Sequence, residues 1–381
     1  MNTNEITYWV TLASMPKMWT RRKNELYVGC YLHQPQRYSI IDLFENTEVR
    51  QELGVSPEEE ILFGTAYNQL ANNAFLVEDL LSQGYEIIPI TSPDYPKSLK
   101  KNLGKNSPCV IYVKGNKDLL NTQCTAIVGS RNADNVSLEF TNNIAKKTVK
   151  ENRTIVSGFA KGVDRKALDS AIEANGKSII VLPQGITTFS SGFRQYYQNI
   201  CRGQVVVIST FHPKAPWSVE FAMARNSIIY GLASEIYAAQ SDSKGGTWSG
   251  VIDGLKKGQN IYVRIPSIDE KNANLLLIQK GATGVDSYGN IVKQPSPYPL
   301  DIFSSAIVSE PETKDAYINE DIHKDLRTRI MDLLIDKKMS KDIRAALNLD
   351  WSDNKMKNYL RSIPEIGEEK ISGRIYFFKQ G

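Results

Sequence analysis

The sequence is poor in the residue types on which disulfides, zinc modules and histidine chemistry depend. It has four Cys among 381 residues, all far apart and none in a CxxC pair. This usage favours a reducing compartment and argues against a zinc module. Only three His are present, so a histidine base or a His-rich metal site has little to draw on. We therefore predict no metal site and no cofactor.

Long hydrophobic runs are also missing. No stretch of about 18 uncharged apolar residues exists, so we predict no membrane span. The N-terminus has no basic segment followed by an apolar core, so no secretory signal is expected, and we predict a cytoplasmic protein. Apolar residues make up 41% and charged residues 23%, which is typical of a globular chain and unlike a disordered one. The length predicts two or three domains.

The net charge of +4 hides an uneven distribution. Residues 1–94 carry 6 Lys and Arg against 13 Asp and Glu, a net charge of −7. Residues 95–227 carry 19 against 8, a net charge of +11. A basic segment of this kind is either a solvated face or a surface that binds a polyanion, and charge alone leaves both open.

Hydrophobic periodicity divides the chain into four parts. Residues 1–90 have a helical period and predict an N-terminal helical domain. Residues 91–293 alternate short Val/Ile-rich runs with amphipathic segments, which predicts an α/β domain. Residues 294–316 are rich in Pro, Ser and acid and predict a linker. Residues 317–381 predict three helices and a hairpin that turns at 372–373, the pattern of a winged helix.

The predicted elements are as follows. N-terminal helices are expected at 5–13, 16–27, 38–43, 57–72 and 74–83, before a strand at 85–90. Strands of the α/β domain are expected at 110–113, 125–128, 154–156, 178–182, 205–208, 235–239 and 260–265. Its helices are expected at 137–151, 164–175, 193–202, 219–233 and 248–257, and those of the C-terminal part at 322–335, 340–347 and 352–362. Such alternation predicts a doubly wound parallel sheet that binds ligands at the carboxyl ends of its strands.

Two glycine-containing turns are candidate phosphate sites. Gly129, Ser130 and Arg131 connect a strand to a helix, where backbone N–H groups attract anions and an Arg can fork across two oxygens. The next strand ends in a turn with Gly158, Lys161 and Gly162, after which Asp164 is predicted to cap the helix. Neither turn matches GxGxxG or a Walker A motif. Each alone also suits a plain turn, but two in adjacent units favour a shared anion site.

A third turn and one helix complete the candidate site. Gly245, Gly246 and Thr247 could form an N–H nest for an anion, or a plain tight turn. Arg225 and Asn226 are predicted to point to the ligand edge of the sheet, with a salt bridge as the alternative for Arg225. No GxSxG or Cys/His constellation is present, so no catalytic residue is predicted.

Five motifs occur here in an order and spacing similar to those of the DprA/Smf family of DNA-processing proteins. They are VGSRN (128–132), SGFAKGVD (157–164), VLPQGI (181–186), ARNSIIYGLA (224–233) and NANLLLIQKGAT (272–283). The resemblance covers about 84–286. It implies a Rossmann-like domain, flanked by an N-terminal SAM or hairpin-like helical domain and a C-terminal winged helix.

The resemblance implies a cytoplasmic, non-enzymatic protein that binds single-stranded DNA. It further implies a homodimer formed through the Rossmann-like domain, and the loading of a RecA-type recombinase onto single strands during natural transformation. The residues that it implies for the phosphate pocket are Gly129, Ser130, Arg131, Gly158, Lys161, Gly162, Arg225 and Asn226. All eight lie in the +11 segment.

The sequence also departs from the family pattern. GITTFSSGFRQYY replaces a Gly-x-Asp…Tyr-Pro segment, which makes Arg194 a candidate for the lost contacts. The wider superfamily includes nucleotide sensors and LOG-type phosphoribohydrolases, which carry PGGxGTxxE with a catalytic Glu. Here GGT is followed by WSGVIDG, without an acid at that position. A nucleotide sensor, for example in phage defence, and a nucleotide hydrolase therefore stay as alternatives, the hydrolase being the less favoured, and the pathway stays open.

Overall fold

The computed structural model describes residues 2–34, 37–267 and 270–292, and then 330–334, 336–347, 353–361, 363, 365–371 and 374–379. The chain divides at Pro297 into two compact units, each with its own core. No helix among the described residues is both long and apolar enough to cross a membrane.

The first unit begins with helices. They are α1 (Thr3–Ser14), α2 (Thr20–Leu32), α3 (Ile40–Glu45), α4 (Thr47–Glu52), α5 (Pro57–Tyr67) and α6 (Leu70–Ser82). Capping boxes start α3 at Ser39 and α5 at Ser56. The helix predicted at 57–72 is two helices, because the chain breaks at Asn68 and Gln69, and α4 was not predicted.

A mixed nine-stranded sheet forms the centre of this unit. Its strands are β1 (Glu86–Pro89), β2 (Val110–Gly115), β3 (Cys124–Val128), β4 (Thr154–Ser157), β5 (Ser178–Val181), β6 (Val205–Ser209), β7 (Glu235–Ala238), β8 (Ile261–Arg264) and β9 (Thr283–Val285). Their order is β1-β2-β6-β5-β4-β3-β7-β8-β9.

The prediction of a wholly parallel sheet is wrong at one edge. β2 runs antiparallel to both of its neighbours, β1 and β6. The other strands of the sheet, in the order β6-β5-β4-β3-β7-β8-β9, are mutually parallel. A run of buried Val and Ile residues reads the same in either direction, so the sequence pattern does not reveal the direction of β2. β9 was not predicted, since it has only three residues and one of them is Gly284.

Helices cover both faces of the sheet. They are α7 (Lys97–Leu103), α8 (Asn135–Lys150), α9 (Val163–Glu173), α10 (Ser190–Cys201), α11 (Val219–Leu232), α12 (Gly246–Lys256) and α13 (Asn274–Gln279). Successive residues of β5 point to opposite faces: Ile180 packs in the core that contains the N-terminal helices, while Ile179 and Val181 pack in the core that contains α11. The doubly wound arrangement predicted for residues 109 onward is therefore present.

The second unit contains a helical segment at 330–333, α14 (Ser340–Ala346), α15 (Asp353–Arg361) and the antiparallel strands β10 (Ile366–Ile371) and β11 (Arg374–Lys379). Ile330, Ile343, Leu360 and Phe377 are buried in its core. The elements follow the predicted order, while the winged-helix assignment and the domain boundaries stay predictions. The predicted linker at 294–316 and the hairpin turn at 372–373 lie outside the described residues.

Candidate nucleic-acid interface

The candidate site lies where the direction of chain progression across the sheet reverses. β3 is flanked by β4 on one side and by β7 on the other, so the turns that follow these three strands meet at the carboxyl edge. This switch point is where open α/β sheets bind ligands. We call the cavity there, of about 400 Å³, the switch-point pocket. It is lined by residues 128–132, Ala160, Asp164, Val219, Ala222, Met223, Arg225, Asn226, Ile229, Tyr230, Asp242 and residues 244–247.

The two predicted phosphate turns pack directly on each other. The backbone N–H of Val163 donates to the carbonyl oxygen of Ser130 at 3.3 Å. Gly162 has a φ of +85°, and a Cβ built there would lie 2.4 Å from that same oxygen. Only glycine fits this contact, since any side chain would separate the turns. Gly162 therefore joins the turns to each other.

Gly129 and Gly158 also make room for protein atoms. A Cβ at Gly129 would lie 2.5 Å from Cγ2 of Val163, in the first turn of α9. A Cβ at Gly158 would lie 0.9 Å from Nη1 of Arg225, so the guanidinium occupies the space that Gly158 leaves. Both glycines therefore support the walls of the site, and Gly129 also lines the switch-point pocket.

Arg225 forms a buried ion pair within the protein. Arg225 is only 4% exposed, and its Nη1 lies 3.5 Å from Oδ2 of Asp164. Burial raises the pKa of Asp164, and the charge of Arg225 opposes that rise. The predicted capping role of Asp164 is wrong, because Gly162 is the N-cap of α9 and Asp164 instead accepts a hydrogen bond from the N–H of Ala160 at 3.4 Å.

Arg225 nevertheless keeps one unused donor. Its Nε is buried and has no hydrogen-bond partner in the described part of the chain, although the residue lines the pocket. Burial lowers the pKa of Arg225, and the positive charge of Arg131 lowers it further. Arg131 and Arg225 thus bring two positive charges to the pocket, one of which is paired with Asp164.

A second cavity, which we call the outer groove, continues from the pocket on the side of α8 and α9. It measures about 750 Å³ and is lined by Arg131, Asn132, Ala133, Leu138, Lys161, Gly162, Arg165, Lys166 and Asp169. The two cavities share Arg131 and Asn132. The structure therefore brings the two predicted cations, Arg131 and Lys161, to the same groove, and both are exposed.

Two further cations of the outer groove were missed by the sequence reasoning. Arg165 and Lys166 lie in the first turn of α9, directly after the turn that carries Lys161, and this closeness in the sequence was a usable signal. The Arg165 guanidinium lies over the ring of Phe159, 3.7 Å from its centroid, and donates to Gln195 at 2.9 Å. Phe159 has a φ of +61°, a rare conformation for a residue with a side chain.

The remaining predicted residues fall into two groups. Gly245, Gly246 and Thr247 line the switch-point pocket with Asn226, whose Nδ2 donates to the carbonyl oxygen of Gly246 at 3.4 Å. Lys244 of the same turn also lines the pocket and was missed. Arg194 is exposed on α10 and lines neither cavity.

The motif at 272–283 supports the sheet from the side. Asn274 is buried, and its Nδ2 donates to the carbonyl oxygens of Ala239 and Arg264 at 3.0 and 2.9 Å. Its Oδ1 accepts from the N–H of Ser241 at 2.9 Å. These bonds join β7, β8 and α13 beside the switch point, which explains why a polar residue stands inside this apolar motif.

Comparisons with known proteins agree with this architecture. The family model described as DNA recombination-mediator protein A matches residues 86–296. The DNA processing protein DprA of Bacillus subtilis (strain 168) is 28% identical over 216 residues, which cover 56% of this chain and 72% of that protein. The DprA of Streptococcus pneumoniae (strain ATCC BAA-255 / R6) is 28% identical over 227 residues, which cover 58% of this chain and 79% of that protein.

The fold is shared as well. The X-ray structure of DprA from Streptococcus pneumoniae superposes with a TM-score of 0.61 at 23% identity, covering 76% of this chain and 96% of that one. The family model spans more than half of the chain and includes the turns that build the switch-point pocket and the outer groove. The chain therefore belongs to the DNA recombination-mediator protein A family, the DprA/Smf family that its motifs resemble.

Proposed function

We propose that this protein binds single-stranded DNA and holds its phosphates in the switch-point pocket and the outer groove. The observation that carries the proposal is the contact between two glycine-containing turns on neighbouring parallel strands, with Arg131 and Lys161 on the groove that they form. Backbone N–H groups and helix N-termini at such turns attract phosphate, and the added cations strengthen that attraction.

The distribution of cations favours a polymer over a single phosphate. Arg165 and Lys166 extend the row of positive charge along the outer groove beyond Lys161. Three to five phosphate contacts would give a log–log salt slope of roughly −2 to −3.5 for single strands. We expect duplex DNA to bind much more weakly, since the site is a pocket of turns and not a helix that reads a groove.

We further propose that the protein catalyses no reaction on the DNA. Asp164, the buried carboxylate of the pocket, is paired with Arg225. The residues after Gly245, Gly246 and Thr247 supply no acid where the related hydrolases have their catalytic Glu. These two features support a binding protein over a phosphoribohydrolase.

The wider role follows from family membership. We propose that the protein acts in the cytoplasm in DNA uptake or recombination, as a homodimer formed through its α/β unit, and that it loads a RecA-type recombinase onto the bound strand. These steps rest on the family resemblance and on the single-strand site proposed above.

A nucleotide sensor is the second candidate. The switch-point pocket, at about 400 Å³, falls within the range of small-ligand sites. Arg225, whose buried Nε has no hydrogen-bond partner within the described residues, is one of the residues that line it. A mononucleotide phosphate would fill such a pocket without using the outer groove.

The test measures the binding of a fluorescent single-stranded oligonucleotide across a range of salt concentrations. Arg131→Ala and Lys161→Ala should each weaken binding by about tenfold or more, because charge-assisted contacts are worth roughly 1.5–3 kcal/mol. The double variant should flatten the salt slope by about 1.4, which is 0.7 for each lost contact. Arg131→Lys should recover only part of the loss, since an ammonium cannot fork across two oxygens.

Lys17 is an exposed lysine in the turn between α1 and α2. The variant Lys17→Ala is the matched control and should bind oligonucleotide as the parent does. Unchanged oligonucleotide affinity in the Arg131/Lys161 double variant would contradict the proposal. If that variant at the same time lost the binding of a mononucleotide, the sensor would become the better assignment.

A further inference from the structure

The switch-point pocket continues into a second cleft on the face of the sheet that carries α7, α11 and α12. We call it the rear cleft. Its first part, of about 190 Å³, shares Met223, Asn226, Tyr230 and Gly246 with the pocket. Its second part, of about 590 Å³, shares Asn102, Lys257 and Gln259 with the first. The shared residues place the pocket and the two parts of the rear cleft next to one another along α11.

One stripe of residues on α11 lines the rear cleft. Met223, Ser227 and Tyr230 recur every three or four residues and so form one stripe along the helix, the floor of the cleft. On the wall, a Cβ at Gly250 of α12 would lie 2.9 Å from the hydroxyl oxygen of Tyr230. Glycine at that position therefore lets α12 lie close to the ring of Tyr230.

Tyr230 supplies a donor that the protein itself does not use. The residue is 6% exposed, and its hydroxyl has no hydrogen-bond partner within the described residues. It lines both the pocket and the first part of the cleft. Since a buried hydroxyl without a partner is costly, this position suits a ligand that carries an acceptor.

The far end of the cleft is basic. α7 carries Lys97, Lys100 and Lys101 and no acid. Lys101 lines the second part of the cleft, is exposed, and forms no ion pair among the described residues. Lys257, also at this end, is paired with Asp253 at 2.6 Å. The free charge of Lys101 therefore lies at the end of the path that begins with the cations of the pocket.

We propose that a single DNA strand crosses the carboxyl edge of the sheet, from the outer groove through the pocket into the rear cleft, and reaches Lys101. The proposal rests on the proposed function and adds the course of the strand. The stretch from Met223, in α11, to Ser234, just after the end of that helix, spans about 16 Å at 1.5 Å per residue. That distance corresponds to four or five stacked nucleotides at about 3.4 Å each.

The first experiment compares a trinucleotide with a 12-mer by competition binding. A trinucleotide is too short to fill both the pocket and the cleft, so Lys101→Glu should leave its affinity unchanged. The same variant should weaken the 12-mer by about threefold or more and reduce the salt slope by about 0.7. Lys17→Glu, which changes the net charge equally but lies outside the path, is the control and should affect neither.

The second experiment uses Tyr230→Phe, which removes the hydroxyl and keeps the ring. The thermal midpoint of the free protein should stay the same or rise, because an unpartnered polar group is lost. The affinity for the 12-mer should fall by about threefold to tenfold, because the ligand loses a hydrogen bond. A purely structural role for Tyr230 would leave the affinity unchanged.

The outcomes separate the two proposals. Equal effects of Lys101→Glu and Lys17→Glu on the 12-mer, or unchanged affinity in Tyr230→Phe, would overturn the strand path and leave the phosphate site intact. Competition by duplex DNA as effective as that of the single strand would also overturn it. Failure of the Arg131 and Lys161 substitutions to weaken either oligonucleotide would instead contradict the proposed function itself.

Discussion

The guanidinium of Arg225 and the carboxylate of Asp164 meet beneath Gly158, where a side chain would not fit. Asp164 also accepts a hydrogen bond from the N–H of Ala160, which lies in the turn after β4. Arg225 therefore holds this turn in place through Asp164. Buried pairs of this kind contribute little net stability, but removing one partner leaves an unpaired buried charge. Arg225 is therefore expected to position the turn whether or not it also touches phosphate.

Replacing Arg225 should make stability depend on pH. Arg225→Met leaves Asp164 buried without its cation, which should cost about 3–5 kcal/mol at pH 7. Burial already raises the pKa of Asp164 above its ordinary value of 3.8, and loss of the cation raises it further. A carboxyl group with a raised pKa binds more protons in the folded state, so stability is lost as the pH rises from about 4.

The deficit of Arg225→Met should consequently be smaller at pH 5 than at pH 7, as measured by urea denaturation. The double variant Arg225→Met/Asp164→Asn should lose this pH dependence, since no titrating group remains. A deficit of the same size at both pH values would show that Asp164 does not carry the buried charge.

At the scale of elements, the strand–turn–helix units were predictable while their orientations were not. Chain order and buried Val/Ile runs placed β3, β4 and the turns after them, and glycine marked the turns. The residues of ARNS at 224–227 suit either a phosphate contact or an internal ion pair, because a helix period does not say how deep a side chain is buried. The direction of β2 was hidden because a run of buried apolar residues reads the same in either direction. The exposure of Arg194 depends on how α10 is rotated.

The contact between the two turns gives a prediction for Gly162. Gly162→Ala requires a strained φ of +85° and places a Cβ 2.4 Å from the carbonyl oxygen of Ser130. With a ψ of −128°, this is a backbone conformation that residues with a side chain rarely adopt, and the strain alone costs about 1–3 kcal/mol. The clash should separate Arg131 from Lys161. We expect a loss of oligonucleotide affinity of about tenfold or more, measured by anisotropy, in addition to the lower stability.

Gly281→Ala separates strain from the clash. Gly281 has a φ of +106° but no atom within 4 Å of a built Cβ. Gly281→Ala should lose less stability than Gly162→Ala, because it has the strain without the clash, and it should bind oligonucleotide as the parent does. Equal affinities for the two variants would argue against a role of the turn contact in binding.

At the scale of the whole molecule, charge is divided between the parts of the chain. The N-terminal segment 1–94 has a net charge of −7, and residues 95–227 have +11. Residues 317–381 carry 13 Lys and Arg against 11 Asp and Glu, which is only +2. The positive field that would attract a polyanion therefore comes from residues 95–227, which contain the two phosphate turns.

Two cations of α15, the helix that would read DNA in a winged helix, already have acidic partners. Lys357 lies 2.7 Å from Asp353, and Arg361 lies 2.8 Å from Glu368 of the hairpin. A helix whose cations already have acidic partners must break those pairs to contact phosphates. We therefore expect the C-terminal unit to dock a partner and not to bind the single strand.

Truncation after residue 310 tests whether the C-terminal unit contributes to single-strand binding. The residues that line the pocket, the outer groove and the rear cleft all lie before residue 293, so they stay in the shortened chain. Its affinity for a single-stranded oligonucleotide should stay within a few-fold of that of the full chain, with an unchanged salt slope, because no phosphate contact is lost. A loss of tenfold or more, with a slope reduced by 0.7 or a multiple of it, would show that cations of the C-terminal unit contact the strand. Lys357→Ala/Arg361→Ala in the full chain distinguishes the two causes of such a loss, since it removes two of the three cations of α15 and keeps the unit itself.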